Sequence, residues 1–268
     1  MPQADSHSTP PRSLRRPSVQ WRDLTALSAQ DVATELLISL PWLVVSLLLA
    51  NAGWMLIALP CSFMFFLTGL RQVHGAFHYS LGLRRKPTEL VMLGLSGLML
   101  GSMHAVQFNH LRHHTHCMEE DDVEAMSARM PWWRAVLWGP LFPVRLHLSA
   151  WSHARGRQRQ WILAELALTI GIVTSAAAIG IGWLRYHVLA MVIGHCLTAF
   201  FAVWTVHHDC EETVPARTIR GRLKPFVTYE MFYHLEHHLF PAVPTRRLPE
   251  LASRLDAVAP ELSERRVF

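Results

Sequence analysis

The chain has 268 residues, 51% of them hydrophobic and ten of them tryptophan, with a formal net charge of +5 at pH 7. Several apolar runs approach the roughly 20 residues that cross a bilayer, so the composition indicates an integral membrane protein with too little polar sequence left for a separate soluble domain. Cys61, Cys117, Cys196 and Cys210 form no CxxC pair, which excludes a zinc ribbon or a dithiol redox motif. The basic residues lie mostly beside apolar runs, where they orient a chain in a membrane, and this argues against a nucleic-acid partner.

The first 33 residues are polar, with Pro2, Pro10, Pro11, Pro17 and several arginines, and contain no apolar core followed by a small-residue cleavage site. They read as a disordered or surface-lying tail. The first apolar run, Glu35 to Ala50, and the second, Gly53 to Leu70, are separated by Asn51 and Ala52, a tight hairpin between two spanning helices. A third run, Leu90 to Val106, is slightly short for a span and contains Gly94, Ser96, Gly97 and Gly101. Between Pro131 and Trp151, Trp132, Trp133, Trp138 and Trp151 suit an amphipathic stretch at the headgroup boundary. A fourth run, Trp161 to Trp183, and a fifth, Val188 to Val206, are joined by a turn expected at Leu184-Arg185-Tyr186-His187.

Charge sets the expected orientation. Arg12, Arg15, Arg16 and Arg22 precede the first helix, Arg71, Arg84, Arg85 and Lys86 follow the second, Arg155, Arg157 and Arg159 precede the fourth run, and Arg217, Arg220, Arg222 and Lys224 follow the fifth. The two hairpin turns offer only Arg185. The positive-inside rule puts all four basic clusters on the cytoplasmic face, which is self-consistent only if Leu90 to Val106 does not cross. That segment is expected to be re-entrant or to lie within one leaflet, which is tolerable where other protein covers it. The expected fold is an all-α integral membrane protein: four transmembrane helices in two hairpins, a re-entrant or interfacial segment, and a cytoplasmic histidine-rich cap. A bacterial inner membrane is the expected location.

Histidines gather in three clusters, His74-x-x-x-His78, His110-x-x-His113-His114 and His234-x-x-His237-His238. Side chains three or four residues apart on a helix share a face, with Cβ atoms roughly 5–6 Å apart, so each cluster can aim its imidazoles at one point. A lone histidine at such a place is usually a satisfied surface residue; three clusters on one membrane face point to a metal site. One zinc takes about four ligands and eight imidazoles are twice that, so two metal ions are expected, although imidazole alone does not choose among Zn, Cu, Ni and Fe. The competing class is a histidine-rich metal transporter or sensor. A transport path needs ionisable ligands near mid-bilayer, and only His195 lies deep. His195 is about 18 Å along a helix from His207, too far to share a site, and reads as a buried polar group satisfied by a neighbour.

Around the clusters, Glu119-Glu120-Asp121-Asp122 reads first as a solvated loop that starts the next helix, with a role in orienting ligands as the alternative. Glu236 and Asp209 are candidates to hydrogen-bond the second nitrogen of a ligand imidazole. His104 and His116 flank the second cluster, as outer partners or as plain surface residues. The basic run Arg217, Arg220, Arg222 and Lys224 could meet the anionic head of a substrate or an acidic electron carrier, and reads most simply as an anchor to an anionic leaflet.

The stretch Tyr233-His234-Leu235-Glu236-His237-His238-Leu239-Phe240-Pro241-Ala242-Val243-Pro244 resembles the third histidine box, with its Phe-Pro-x-x-Pro trailer, of the membrane-bound fatty acid desaturase superfamily. The first two clusters resemble its other boxes, and the likeness covers roughly residues 70 to 250. The resemblance implies two non-haem Fe ions, O₂ as co-substrate and oxidation of an unactivated C–H bond of a lipid. Fatty acyl desaturation leads, with hydroxylation or ketolation of a lipid or carotenoid as the alternative. It also implies a further ligand at the end of the last membrane helix, where His207 and His208 stand, with His207 favoured. The implied metal set is His74, His78, His110, His113, His114, His207, His234, His237 and His238. Residues 34–250 would form the membrane-embedded desaturase-like catalytic domain, and 251–268 a C-terminal tail. With neither a cysteine quartet nor a GxGxxG fingerprint, electrons would come from a separate ferredoxin-like or reductase protein.

Overall fold

The computed structural model describes residues 16–210 and 214–267, and among these the secondary structure is helical apart from isolated bridge residues, Val214 and the pair Thr218 and Arg266. Four helical stretches are long and apolar enough to cross a bilayer: Ala29–Asn51, Met55–Phe77, Gly156–Ile179 and Gly182–His207. The first consists of α1 (Ala29–Leu37) and α2 (Leu40–Asn51). Ser28 and Asp31 close a reciprocal capping box at its start. The chain turns at Gly53, whose φ of +84° suits glycine, and returns as α3 (Met55–Phe77). Leu48, Leu56 and Ile170 point outward at 63%, 82% and 62% exposure, the faces that meet lipid in a bilayer. Buried hydroxyls hold the bundle inside: Ser46 bonds Ser62 at 2.6 Å, and Ser62 bonds Tyr186 at 2.8 Å.

The third apolar run is broken. Helices α4 (Arg85–Met99) and α5 (Met103–Thr115) meet at 113°. Leu100 takes a left-handed conformation with φ +60°, and Ser102 caps α5 by accepting from the Ala105 amide. The last carbonyls of α4 would be orphaned at this depth. His187 and His195 each donate Nε2–H to one of them, Leu98 O and Met99 O, at 2.8 Å. The segment turns back rather than crossing, so α5 ends at the same end of the bundle as α3, as the charge pattern requires.

Next come α6 (Trp132–Trp138) and α7 (Phe142–His153), with Leu137 and Leu148 outward and Phe142, Leu146 and Ala150 buried, an amphipathic pair. The second hairpin is α8 (Gly156–Ile179) and α9 (Gly182–Thr198). Its turn corrects the expectation: the chain reverses at Gly180 and Ile181, and Leu184 to His187 lie inside α9. Gly180, with φ +78°, ends α8 without a Cβ penalty. Arg185 is a capping donor rather than a loop residue, bonding Ala176 O and Ala177 O across the turn. After Ala199 the helix widens into one π-helical stretch, Ala199–Trp204, and closes as α10 (Thr205–His207).

The remaining chain forms a cap on the histidine end from α11 (Leu223–Val227), α12 (His234–Leu239) and α13 (Leu248–Val258). Leu235, Leu239, Leu251 and Leu255 form its core, joined by Leu24 and covered by Val19 and Trp21 from the polar N-terminal stretch. Residues 1–15 of the expected N-terminal tail lie outside the described residues. Arg71 joins cap to membrane: it pairs with Glu35 in the interior and donates Nε–H to Tyr229 O at 2.6 Å.

Candidate metal centre

Four elements present histidines to one buried volume. The end of α3 supplies His74 and, one residue past the helix, His78; α5 supplies His110, His113 and His114; α10 ends on His207; and α12 supplies His234, His237 and His238. Their nitrogens form two groups, His74, His78, His110, His114 and His237 in one and His113, His207, His234 and His238 in the other, each with its ligand atoms within 4.8 Å of one another. Helical spacing explains the division. Pairs four apart, 74/78, 110/114 and 234/238, fall in the same group, whereas His113 and His237 sit on adjacent faces and cross to the other group. Both α5 and α12 therefore serve both groups. Pro241 closes α12 just beyond its last histidine.

The nitrogens meet at 2.9 to 3.2 Å, which suits an N–H···N bond where one ring carries its proton on Nε2 and suits neighbouring metal ligands where neither does. In the first group Nε2 of His110 lies 2.9 Å from that of His78 and 3.2 Å from that of His114, and His237 and His114 are 3.0 Å apart. In the second, His234 Nε2 lies 2.9 Å from His207 Nε2 and 3.2 Å from His238 Nε2. His110 Nδ1 bonds Glu124 at 2.8 Å, His113 Nδ1 bonds Asp122 at 2.7 Å, and His207 Nδ1 donates to Pro215 O at 2.6 Å. A proton held on Nδ1 leaves Nε2 as a bare lone pair. Converging lone pairs repel unless a cation lies between them, and an edge of about 3 Å is what neighbouring ligands span around an ion with bonds of about 2.1 Å. His74 Nε2 is buried with no hydrogen-bond partner, a further acceptor-type atom that an ion would satisfy. The residues thus fit one transition-metal ion in each group.

At six of the nine histidines protonation is consistent with this, and His113 is the exception, an imidazolium in the metal-free protein whose Nε2 proton an ion would displace. Burial first, and neighbouring imidazoles second, hold His110, His114, His234, His237 and His238 well below the ordinary imidazole range, and burial takes His78 down to about 4. Neutral imidazole is the ligand form. For His113 burial again opposes the charge, but the bond to Asp122, with Cys117 and Glu124 nearby, lifts it well above the usual range. Burial pushes Glu124 up to about 7, against the attraction of His113.

The surroundings depart from expectation in informative ways. The acidic run divides: Asp121 is exposed and pairs with Arg112, whereas Asp122 is 2% exposed and accepts from His113 and from the amides of Met118, Glu124 and Ala125. The solvated reading holds for Asp121 and the ligand-orienting alternative for Asp122, while Glu124 is a partner that the sequence does not single out. Asp122 and Glu124 lie in a loop that folds back over α5, and no helical spacing marks them. Glu236 bonds no ligand imidazole; it accepts from Thr218 at 2.7 Å and Arg220 at 2.9 Å inside the cap. Arg220 is consequently a buried partner of Glu236 and Asp256, not a leaflet anchor. Asp209 pairs with His208, which turns aside and stacks on Trp204 with ring centroids 4.2 Å apart. His104 belongs to another network, bonding Glu165 at 2.7 Å and stacking on Trp161. His116 pairs with exposed Glu119, and His195 is satisfied by Met99 O.

Beneath the histidines a cavity of about 90 Å³ runs into the membrane part, walled by Leu70, Val73, Val106 and Val203 and reaching His74, His110 and His234. It touches both imidazole groups, and apart from Glu124, His147, His195 and Thr198 the rest of its lining is apolar, so an alkyl chain lying in it would meet the two groups together. A comparison with curated proteins returns no match. The sequence model of the family described as fatty acid desaturase matches residues 52–267, which takes in every histidine of both groups, and the chain belongs to that family.

Proposed function

We propose that this membrane oxidoreductase is an O₂-dependent fatty acyl desaturase whose two non-haem irons are held by the nine histidines, one by His74, His78, His110, His114 and His237 and the other by His113, His207, His234 and His238. The observation that carries the reading is the pair of all-imidazole groups at the head of an apolar, membrane-embedded cavity. When bound, the irons would supply activation of O₂ and removal of hydrogen from an unactivated methylene. The chain's own residues do the rest. Asp122, Glu124 and Pro215 O keep protons on Nδ1, so the Nε2 lone pairs of His113, His110 and His207 face inward. Leu70, Val73 and Val203 exclude water and hold the alkyl chain against the imidazoles.

Reducing O₂ fully while removing two hydrogens from the chain requires two further electrons and two protons. A separate electron-transfer protein would deliver the electrons. The four basic clusters support placing the histidine cap on the cytoplasmic face, and the proposed location is a bacterial inner membrane. The test is mass spectrometry of lipids from cells expressing the chain or its His237→Ala variant, together with iron analysis of the purified proteins. Lipids that have lost two hydrogens, only with the unaltered chain, and iron near two per chain are expected. Lipids that gain an oxygen instead would make it a hydroxylase, and a protein that takes up no iron would overturn the reading.

A further inference from the structure

Two apolar concavities lie end to end along the seam between α3 and α9. The metal-side cavity is walled there by Leu70 on α3 and by His195 and Thr198 on α9. The second, a groove of about 370 Å³, opens on the lipid-facing side of the same two helices. Exposed Leu59, Phe63, Ile193 and Leu197 form its rim, and buried Phe66, Ala190 and Gly194 form its floor. Phe66 and Leu70 are one helical turn apart, while Gly194 and His195, and Leu197 and Thr198, are consecutive, so the groove continues the line of the cavity. Between them stands a cluster of rings: Phe66 packs edge-on against His195 at 5.0 Å and against Phe201 at 6.4 Å, and Phe201 against Phe63 at 5.4 Å.

The local sequence is shaped to this arrangement. A Cβ at position 194 would lie 2.6 Å from the Phe66 ring, so Phe66 can lie against α9 only because that residue is glycine. Phe201 sits in the π-helical stretch, whose wider turn moves it off the register of the helix below. Ser62, the groove's polar side chain, spends its hydroxyl on Ser46 and Tyr186 inside the bundle. The groove therefore presents hydrocarbon to hydrocarbon. From His74 to Leu59 the path follows fifteen residues of α3, about 22 Å at 1.5 Å per residue. Against a hydrocarbon core about 30 Å thick, it runs alongside the lipid chains of the histidine-side leaflet and passes the midplane.

We infer that the α3/α9 groove binds the alkyl chain of a lipid still resident in the bilayer, and that Phe66 and Phe201 form the gate by which that chain reaches the cavity beneath the histidines. This rests on the lipid-oxidising reading above and deepens it. The substrate is a membrane lipid taken laterally, not an acyl chain delivered from water on a soluble thioester carrier, because the groove opens at the depth of the acyl chains and has no polar lining for a headgroup.

The full chain in bilayer nanodiscs, containing a phospholipid with a photoactivatable diazirine midway along one acyl chain, provides the test. After irradiation, adducts are expected on Phe63, Ile193 or Leu197 and also on Leu70 or Val203, several-fold above those on Leu56 and Ile170, which are exposed to lipid outside the groove. Adducts spread evenly over the lipid-facing helices, with none at Leu70 or Val203, would overturn the inference, as would chain-to-chain cross-links through the groove, which would make it a dimer contact. Ile193→Trp adds bulk on the exposed rim. It should lower labelling at Leu70 and reduce kcat/KM on bilayer lipid by about tenfold at unchanged iron content, while Leu56→Trp changes neither. Full activity of Ile193→Trp on bilayer lipid would refute the lateral route alone, and turnover of a soluble acyl thioester by the unaltered chain as fast as bilayer lipid would refute the choice of substrate. Labelling does not need turnover, so a failed oxidation reading leaves it interpretable.

Discussion

Asp122 shows how much a single carboxylate can hold in place. Its Oδ2 accepts from His113 Nδ1 and from the Met118 amide, and its Oδ1 from the amides of Glu124 and Ala125, so one side chain orients an imidazole and shapes the loop that brings Glu124 to His110. In Asp122→Asn one acceptor becomes a donor facing N–H groups, and the tautomer of His113 is no longer fixed. Metal affinity should fall about 10–100-fold with the protein still membrane-inserted, read as iron retained after dialysis against a graded chelator. Asp121→Asn, which alters only an exposed pair with Arg112, should retain iron like the unaltered chain. Equal retention by the two variants would remove Asp122 from any ligand-orienting role. Nothing in Glu119-Glu120-Asp121-Asp122 distinguishes the fourth carboxylate from the others, because what selects it is a tertiary fold-back. Eight of the histidines, in contrast, are legible, because three- and four-residue spacing is local geometry and their place at helix ends follows from the apolar runs; His207 has no such spacing and enters only through the family resemblance.

At the scale of elements, the break between α4 and α5 decides whether the histidines can meet. Four small residues in this run read as breakers, but Gly97 packs against Leu168 of α8 and Gly94 has open space around it. The turn falls at Leu100 to Ser102, where a Cβ on Gly101 would lie 3.0 Å from the His195 ring. Charge balance made the existence of a return visible in the sequence. Its position depended on a partner helix, since α9 supplies the donors that satisfy Leu98 O and Met99 O. The second hairpin misled for the related reason that Arg185, Tyr186 and His187 look like a polar turn yet spend their polar groups on carbonyls and a hydroxyl within the bundle. His195→Leu keeps the volume but leaves Met99 O unpartnered at membrane depth, a cost of about 1–3 kcal/mol. A lower unfolding temperature in detergent is expected, with recovery in His195→Gln, whose amide can donate to the same oxygen. If His195→Leu melts with the unaltered chain, the break is held by packing alone.

Across the whole molecule, the elements that supply the histidines have different origins. The first hairpin brings α3, the returning segment brings α5, the second hairpin ends in α10, and the cap brings α12. The hairpins have their own cohesion in Ser46, Ser62, Tyr186 and the apolar core around Phe65 and Met191. The cap has its own leucine core and is joined to the membrane part by Arg71, by Trp42 donating to the Tyr229 hydroxyl, by Arg246 and Arg247 on Asp31, by an apolar cluster of Leu67, Val206, Ile219 and Phe232, and by the imidazoles. Without cations, the nine converging nitrogens lose the ions that would draw the four elements together, so the contact between cap and bundle should be the weakest boundary of the metal-free protein. An ion that binds only the assembled state adds RT ln(1 + [L]/Kd), about 4 kcal/mol at a thousandfold excess over Kd, and it acts at that boundary. Stripping the metal should therefore raise amide exchange in residues 104–125 and 234–239 while leaving α2 and α8 protected, and readdition of iron should restore protection. Hydrogen exchange by mass spectrometry on the loaded and chelated protein decides the matter. A uniform rise through all helices would mean that the metal stabilises the fold globally, and no change would mean that the cap is held without it.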